Sequence, residues 1–117
     1  MEILIKYWWL VLVIVIFITL IFKNKKNNKL NLSEFLKDKA IIVDVRSEEE
    51  YALGHVKNSK NIPLKDLMYR VNEFDKKKKI ITVCALGIKA ESAKKFFKSR
   101  GFEVINAGKW TNLKHLK

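Results

Sequence analysis

The sequence is poor in the residues that form disulfides, bind metals or interrupt helices. Its 117 residues include one cysteine, two histidines, one proline and four glycines. A single cysteine excludes an intramolecular disulfide framework, and the scarcity of cysteine and histidine argues against a metal centre, so we predict no metal site. A lone thiol that must stay reduced suits the cytosol better than an oxidising compartment.

Acidic residues are also few, because 12 aspartates and glutamates face 24 lysines and arginines, which gives a formal net charge of +12. The basic residues lack the pattern of a nucleic-acid binder, since the run Lys76–Lys79 is short and has no interleaved aromatic residues. We therefore predict no nucleic-acid partner.

The first apolar segment runs from Ile3 to Phe22 and is interrupted by Lys6 alone. Twenty helical residues span about 30 Å, the thickness of a bilayer's hydrocarbon core, so the segment predicts one transmembrane helix. Tyr7, Trp8 and Trp9 lie where an interfacial aromatic belt would lie. A cleaved signal peptide is the alternative, but no small-residue cleavage site follows Phe22.

A polar, lysine-rich segment, Lys23–Lys29, follows the apolar run and predicts a short solvated linker. Its four lysines are predicted either to lie on anionic lipid headgroups or to act only as a stop-transfer flank. They outnumber the charges before the helix, so the positive-inside bias predicts a single-pass protein whose following domain lies on the cytoplasmic side.

From Leu30 onward, short apolar strands alternate with amphipathic helices. This alternation predicts an α/β fold with a parallel sheet and helices on both faces. The predicted strands are Ala40–Val45, Ile80–Val83 and Glu103–Asn106. The first two predicted helices are Leu30–Asp38, with Asn31 or Ser33 as N-cap, and a short helix through Leu53 that the capping box Ser47 and Glu50 opens. The other two are Leu64–Phe74 and a helix that has Ala90, Ala93, Phe96 and Phe97 on its apolar face and Gly101 as its stop.

Cys84 lies where a buried strand meets the start of a helix, and Gly87 gives the intervening loop the freedom to turn its backbone N–H groups inward. Such N–H groups and the positive end of the helix dipole stabilise a thiolate and can hold an anion. The pattern therefore predicts a nucleophilic cysteine above an anion cradle. An inert, buried cysteine is the alternative interpretation.

The loop CALGIK, Cys84–Lys89, resembles the active-site loop of the rhodanese family, in which a cysteine opens a six-residue turn that ends at a basic residue. The resemblance extends to IIVDVR, to Glu50–Val56 with the pattern E-Y-x-x-G-H-V, to Asn61–Pro63 and to Val104–Trp110. It implies a rhodanese-like domain over residues 30–117, and the apolar segment described above makes residues 1–29 a membrane anchor at about 3–22 with its basic linker.

The resemblance also implies a mechanism and a set of site residues. Cys84 would carry a persulfide, while Ala85, Leu86, Gly87, Ile88 and Lys89 would bind the substrate, with Lys89 standing where arginine is commoner. The implied donor is thiosulfate or another small anionic sulfane-sulfur compound, and the implied acceptor is a thiol, cyanide or a sulfur-carrier protein. No organic cofactor is implied, and membrane lipid is the partner of the N-terminal helix.

Two alternatives of other classes remain open. Phosphatases and arsenate reductases of related fold use a cysteine loop for oxyanions, but their loops are one residue longer than Cys84–Lys89. A non-catalytic, membrane-tethered docking module is the other alternative. We interpret Asp44, Arg46 and His55 as structural residues rather than as an acid–base set, since buried acids at strand ends usually satisfy backbone donors or a neighbouring arginine.

Overall fold

A computed structural model describes residues 2–116, with the backbone alone described for Leu4 and for residues 24–30. The chain divides into two compact units, Met1–Asn31 and Leu32–Lys117. The predicted contact of Lys25, Lys26 and Lys29 with lipid headgroups falls on side chains outside this description.

The first unit is helical. A single helix, α1, runs over Glu2–Lys37, so the prediction of a separate helix capped at Asn31 or Ser33 is wrong. The predicted linker contains neither glycine nor proline, and nothing in it removes a helical hydrogen bond or frees the backbone. Within α1, the segment Ile5–Lys23 is long and apolar enough to cross a membrane, a test that a signal sequence near an N-terminus also passes.

The second unit contains a four-stranded, all-parallel sheet. Its strands are β1 (Ile41–Asp44), β2 (Lys60–Asn61), β3 (Ile80–Cys84) and β4 (Val104–Lys109), in the spatial order β2-β1-β3-β4. The predicted α/β fold with a parallel sheet is confirmed. Because the strands are parallel, the carboxyl ends of β1 and β3 lie at the same edge of the sheet, which is where ligands bind in such folds.

Helices cover the sheet. After β1 comes α2 (Glu48–Ala52), and before β3 the chain forms a 3-10 turn (Leu64–Asp66), a single α-helical turn α3 (Leu67–Arg70) and a second 3-10 turn (Val71–Glu73). The predicted helix Leu64–Phe74 is thus broken into three short pieces. A long helix, α4 (Ile88–Ser99), joins β3 to β4, and a 3-10 turn (Trp110–Leu113) follows β4.

Two apolar clusters, one on each face of the sheet, form the core. One cluster contains Cys84, the apolar face of α4 and Phe74. The other contains Phe35 from the end of α1 and Leu113, both packed against residues of β1 and β3. The last turns of α1 and the final 3-10 turn therefore supply the cover that this face needs.

Local signals read from the sequence account for several element ends. Ser47 caps α2 by accepting a hydrogen bond from the Glu50 N–H at 3.2 Å, as the capping-box pattern predicts. Gly101 has φ +90° directly after α4, and the Phe102 N–H donates to the Phe97 carbonyl at 3.1 Å in a glycine-terminated helix end. The two-residue strand β2 lies outside the predicted strands, and Pro63, which lacks a backbone N–H group, follows it closely.

Candidate active site

Cys84 is the last residue of β3 and is 2% exposed. Its Sγ atom accepts hydrogen bonds from the Gly87 N–H at 2.8 Å and from the Ala90 N–H at 3.3 Å. Among the residues described, the N–H groups of Leu86, Ile88 and Lys89 form no hydrogen bond. The loop therefore has the predicted form, with backbone donors turned toward the sulfur and further donors available to an anion.

Gly87 makes this loop possible. It is the N-cap of α4 with φ +94°, a left-handed conformation that glycine adopts without steric cost. A Cβ atom at this position would lie 3.3 Å from the Cα atom of Gly108 in β4. The loop thus lies directly against the neighbouring strand, and only a residue without a side chain permits that approach.

Two polar side chains beneath the loop fix the peptide groups that surround the sulfur. Thr82 Oγ1 donates to the Ala90 carbonyl at 2.9 Å. Asn106 Nδ2 donates to the Gly87 carbonyl at 3.2 Å and to Glu91 Oε2 at 3.0 Å, while Asn106 Oδ1 accepts from the Gly108 N–H at 2.7 Å. Neither Thr82 nor Asn106 was singled out from the sequence, because each acts on a residue at least eight positions away.

A cavity of about 230 Å³ opens beside Cys84. Five of the six predicted site residues line it, all except Gly87, and two residues that follow β1 complete the wall. The lining is Arg46, Glu50, Cys84, Ala85, Leu86, Ile88 and Lys89. Leu86 and Ile88 are 72% and 73% exposed, so apolar side chains form the rim of the cavity.

Arg46 lies in the cavity wall but is fully engaged within the protein. Its guanidinium binds the buried Asp44 carboxylate through Nε at 2.9 Å and Nη2 at 2.7 Å, and Nη2 also donates to the Gly54 carbonyl at 2.7 Å. The Trp110 ring covers the guanidinium at 4.6 Å. These contacts agree with the structural interpretation of Asp44 and Arg46, since the pair links β1 to the turn after α2 and to the end of β4.

His55 lies on the surface. Its Nδ1 atom is 2.8 Å from the Tyr51 carbonyl oxygen, and its ring stacks on the Tyr51 ring with centroids 3.8 Å apart. Tyr51 in turn donates to the Ser59 carbonyl at 2.7 Å. His55 is thus held in a turn, as the structural interpretation requires, and it does not line the cavity at Cys84.

Lys89 is exposed in the first turn of α4 and borders two cavities. The second, of about 540 Å³, lies on the other side of Lys89 and is lined by residues of the β1–α2 and Pro63–Asp66 segments. Over residues 2–116, no group of three or more histidine, cysteine, aspartate or glutamate side chains is arranged to hold a metal ion.

Comparison with known proteins places this geometry in a family. Residues 29–113 match the model of the Rhodanese-like domain. The chain belongs to the rhodanese-like domain family. It is 32% identical to a rhodanese from E. coli whose structure contains anions, with a TM-score of 0.59 over 62% of this chain and 89% of that one.

Curated relatives of this rhodanese-like chain have several activities in their names. It is 38% identical over 74 residues to the tRNA uridine(34) hydroxylase of Cytophaga hutchinsonii. The aligned region covers 59% of this chain and 24% of that relative. It is also 32% identical over 81 residues to the adenylyltransferase and sulfurtransferase uba4 of Ogataea parapolymorpha. That aligned region covers 68% of this chain and 21% of the relative. The chain thus spans a quarter or less of the length of these two relatives.

Proposed function

We propose that the rhodanese-like domain is a sulfurtransferase that carries sulfane sulfur on Cys84 as a persulfide. The position of Sγ carries this proposal, since two backbone N–H groups donate to it and it borders a cavity. Backbone donors at a helix N-terminus favour the thiolate, which is the nucleophilic form of cysteine. The sulfurtransferase in the name of one relative supports the same chemistry.

The first half-reaction loads the enzyme. The Cys84 thiolate attacks the outer sulfur of thiosulfate, the sulfur–sulfur bond of thiosulfate breaks, and sulfite leaves with the bonding electron pair. Cys84 then carries an outer sulfur with one negative charge, so atoms and charge balance without an oxidant. The N–H groups of Leu86, Ile88 and Lys89 are available to this second sulfur, because they have no other partner among the described residues.

The second half-reaction unloads the enzyme. A thiol, cyanide or a sulfur-carrier protein attacks the outer sulfur, and the Cys84 thiolate leaves. With cyanide the product is thiocyanate, and the charge again balances. No side chain has to act as a base at Cys84 if its sulfur is already a thiolate.

Intact mass spectrometry tests the proposal. Exposure to thiosulfate should add the mass of one sulfur atom to the chain, and cyanide should then remove it as thiocyanate. Cys84→Ser should gain nothing, because a serine hydroxyl stays protonated at neutral pH. Aryl phosphate and arsenate serve as parallel substrates. Turnover of either without persulfide formation would support a phosphatase or arsenate reductase, and a folded domain that transfers nothing would be a docking module.

The location of the domain is part of the same proposal: α1 crosses a membrane through Ile5–Lys23, and the domain lies on the cytoplasmic side. Support comes from the apolar length of that segment and from the lysines that follow it. Because Cys84 is buried, a surface cysteine is the better reporter. In a Cys84→Ser background, Ser92→Cys on the exposed side of α4 should resist an impermeant maleimide in intact cells and react after lysis. Labelling in intact cells would reverse the orientation.

A further inference from the structure

The charged side chains around the Cys84 cavity offer little net positive charge to a dianion. Arg46 is 5% exposed and its charge is matched by the Asp44 carboxylate at 2.7 Å, which is 0% exposed. A guanidinium paired and covered in this way offers little net charge to a ligand. The charge balance of the cavity therefore depends on the other residues in its wall.

Two of those residues are charged, and their signs are opposite. Lys89 and Glu50 both line the cavity and both are exposed. The first turn of α4 adds partial positive charge from N–H groups without intrahelical partners. The same wall also contains apolar side chains, those of Ala85, Leu86 and Ile88.

We propose that the preferred sulfur donor is a zwitterionic persulfide of an α-amino acid, of the class of cysteine persulfide, rather than the thiosulfate dianion. This inference rests on the proposed function of Cys84. The carboxylate of such a donor pairs with Lys89 and the start of α4, its ammonium group pairs with Glu50, and its methylene carbon contacts the apolar wall. Thiosulfate gains only the first of these interactions and is repelled by Glu50.

Sulfur transfer from this donor class is balanced. The Cys84 thiolate attacks the outer sulfur of the donor R–S–SH, the donor's sulfur–sulfur bond breaks, and R–S⁻ leaves with the electron pair. The proton of the transferred S–H group passes to R–S⁻ through solvent. The products are the Cys84 persulfide anion and the free amino-acid thiol, and no redox partner is needed.

The test measures the rate of persulfide formation on the full-length chain in detergent, with the persulfides of cysteine, 3-mercaptopropionate and cysteamine and with thiosulfate. The second donor lacks the ammonium group and the third lacks the carboxylate. The variants are Glu50→Gln and Lys89→Gln. A glutamine at position 50 can still accept the Ser47 Oγ hydrogen bond, seen at 3.1 Å, so the start of α2 is kept.

Glu49→Gln and Lys65→Gln are matched controls, because these residues line the other cavity and make the same charge changes. Glu50→Gln should reduce the preference for cysteine persulfide over the 3-mercaptopropionate donor by about two- to fivefold, the effect of one partly exposed ion pair, and should speed loading by thiosulfate. Lys89→Gln should reduce the preference for cysteine persulfide over the cysteamine donor by a similar factor.

The outcomes separate this inference from the function on which it rests. If no donor places sulfur on Cys84, the proposed function fails. If all four donors load Cys84 but the Glu50 and Lys89 variants behave like their controls, the proposed function stands and the zwitterionic donor class is wrong. Faster loading by thiosulfate than by cysteine persulfide in the unmodified chain would also overturn the inference.

Discussion

Substitution of Gly87 by alanine should damage the active-site loop more than it damages the fold. At φ +94°, an alanine is held in a left-handed conformation, which costs about 1–3 kcal/mol. The new Cβ atom would also lie 3.3 Å from Gly108 Cα and 3.7 Å from its carbonyl carbon. Both are backbone atoms of a paired strand, so the loop has to move instead. That movement displaces the N–H group that donates to Cys84 Sγ at 2.8 Å.

Gly101 provides a matched control for this substitution. It has nearly the same backbone angle, φ +90°, but a Cβ atom placed there meets no heavy atom within 4 Å. Gly101→Ala therefore introduces the same backbone strain without the contact and away from the site. Both variants should lose about 1–3 kcal/mol of unfolding free energy, and the contact with Gly108 should make the loss larger for Gly87→Ala.

Two assays on both variants decide the matter. Urea unfolding gives the free energy of unfolding, and the rate of persulfide formation measures the reactivity of Cys84, since the chain has no other cysteine. Loss of one charge-assisted hydrogen bond of about 1.5–3 kcal/mol corresponds to a rate reduction of roughly tenfold or more for Gly87→Ala. An unchanged rate of persulfide formation in Gly87→Ala, or an equal reduction in Gly101→Ala, would contradict a role for the Gly87 N–H group at Cys84.

Three further perturbations test the surroundings of the site. Asp44→Asn leaves the buried Arg46 guanidinium without its counter-charge and should cost about 3–5 kcal/mol in urea unfolding, so a loss below 1 kcal/mol would contradict the pairing. Asn106→Ala should slow persulfide formation severalfold because the Gly87 carbonyl loses its donor, whereas Asn112→Ala, which removes an exposed amide bonded to Ala107, should not. The hydrogen bonds from Arg70 and Lys60 lower the pKa of Glu73 to about 2. The small stabilisation that this carboxylate contributes should therefore be present above pH 4.5 and be lost as the pH falls toward 2. An NMR titration of Glu73 with a midpoint near 4.5 would exclude these hydrogen bonds.

The layered α/β fold was predictable because its main signals are local. Ile80–Val83 reads as a buried strand from apolar β-branched residues alone, and the spacing of Ala90, Ala93 and Phe97 is helical. All three of these helix residues are completely buried in the structure. The pattern therefore identified the elements that cover most of the core.

The elements that were missed owe their form to contacts between distant residues. Strand β2 has two residues, Lys60 and Asn61, and exists because they pair with Val43 and Asp44 of β1. No periodicity can be read from two residues. The segment Leu64–Phe74 has helical spacing, but the structure breaks it into 3-10 and α-helical turns that bury Leu67, Val71 and Phe74 against the sheet. Packing overrides the local preference there.

Of the candidate site, only the loop Cys84–Lys89 could be predicted from the sequence. A cysteine, a glycine and a basic residue within six positions mark the loop, and the structure does form an inward-turned loop at Cys84. The residues that support this loop cannot be identified from the sequence, since Asn106 in β4 bonds to Gly87, which lies 19 positions earlier at the start of α4. Glu50 likewise reads as a capping residue of α2, and only the folded chain places it beside Cys84.

In this loop the reactive and selective functions are divided between backbone and side chains. The donors to Cys84 Sγ are main-chain N–H groups of Gly87 and Ala90, so no side chain is needed to make these hydrogen bonds to the sulfur. Leu86, Ile88 and Lys89 instead contribute exposed side chains to the wall of the cavity at Cys84. Because the loop is fixed from below by Thr82 and Asn106, changing its exposed residues should alter which donor or acceptor is used and leave the sulfur chemistry itself in place.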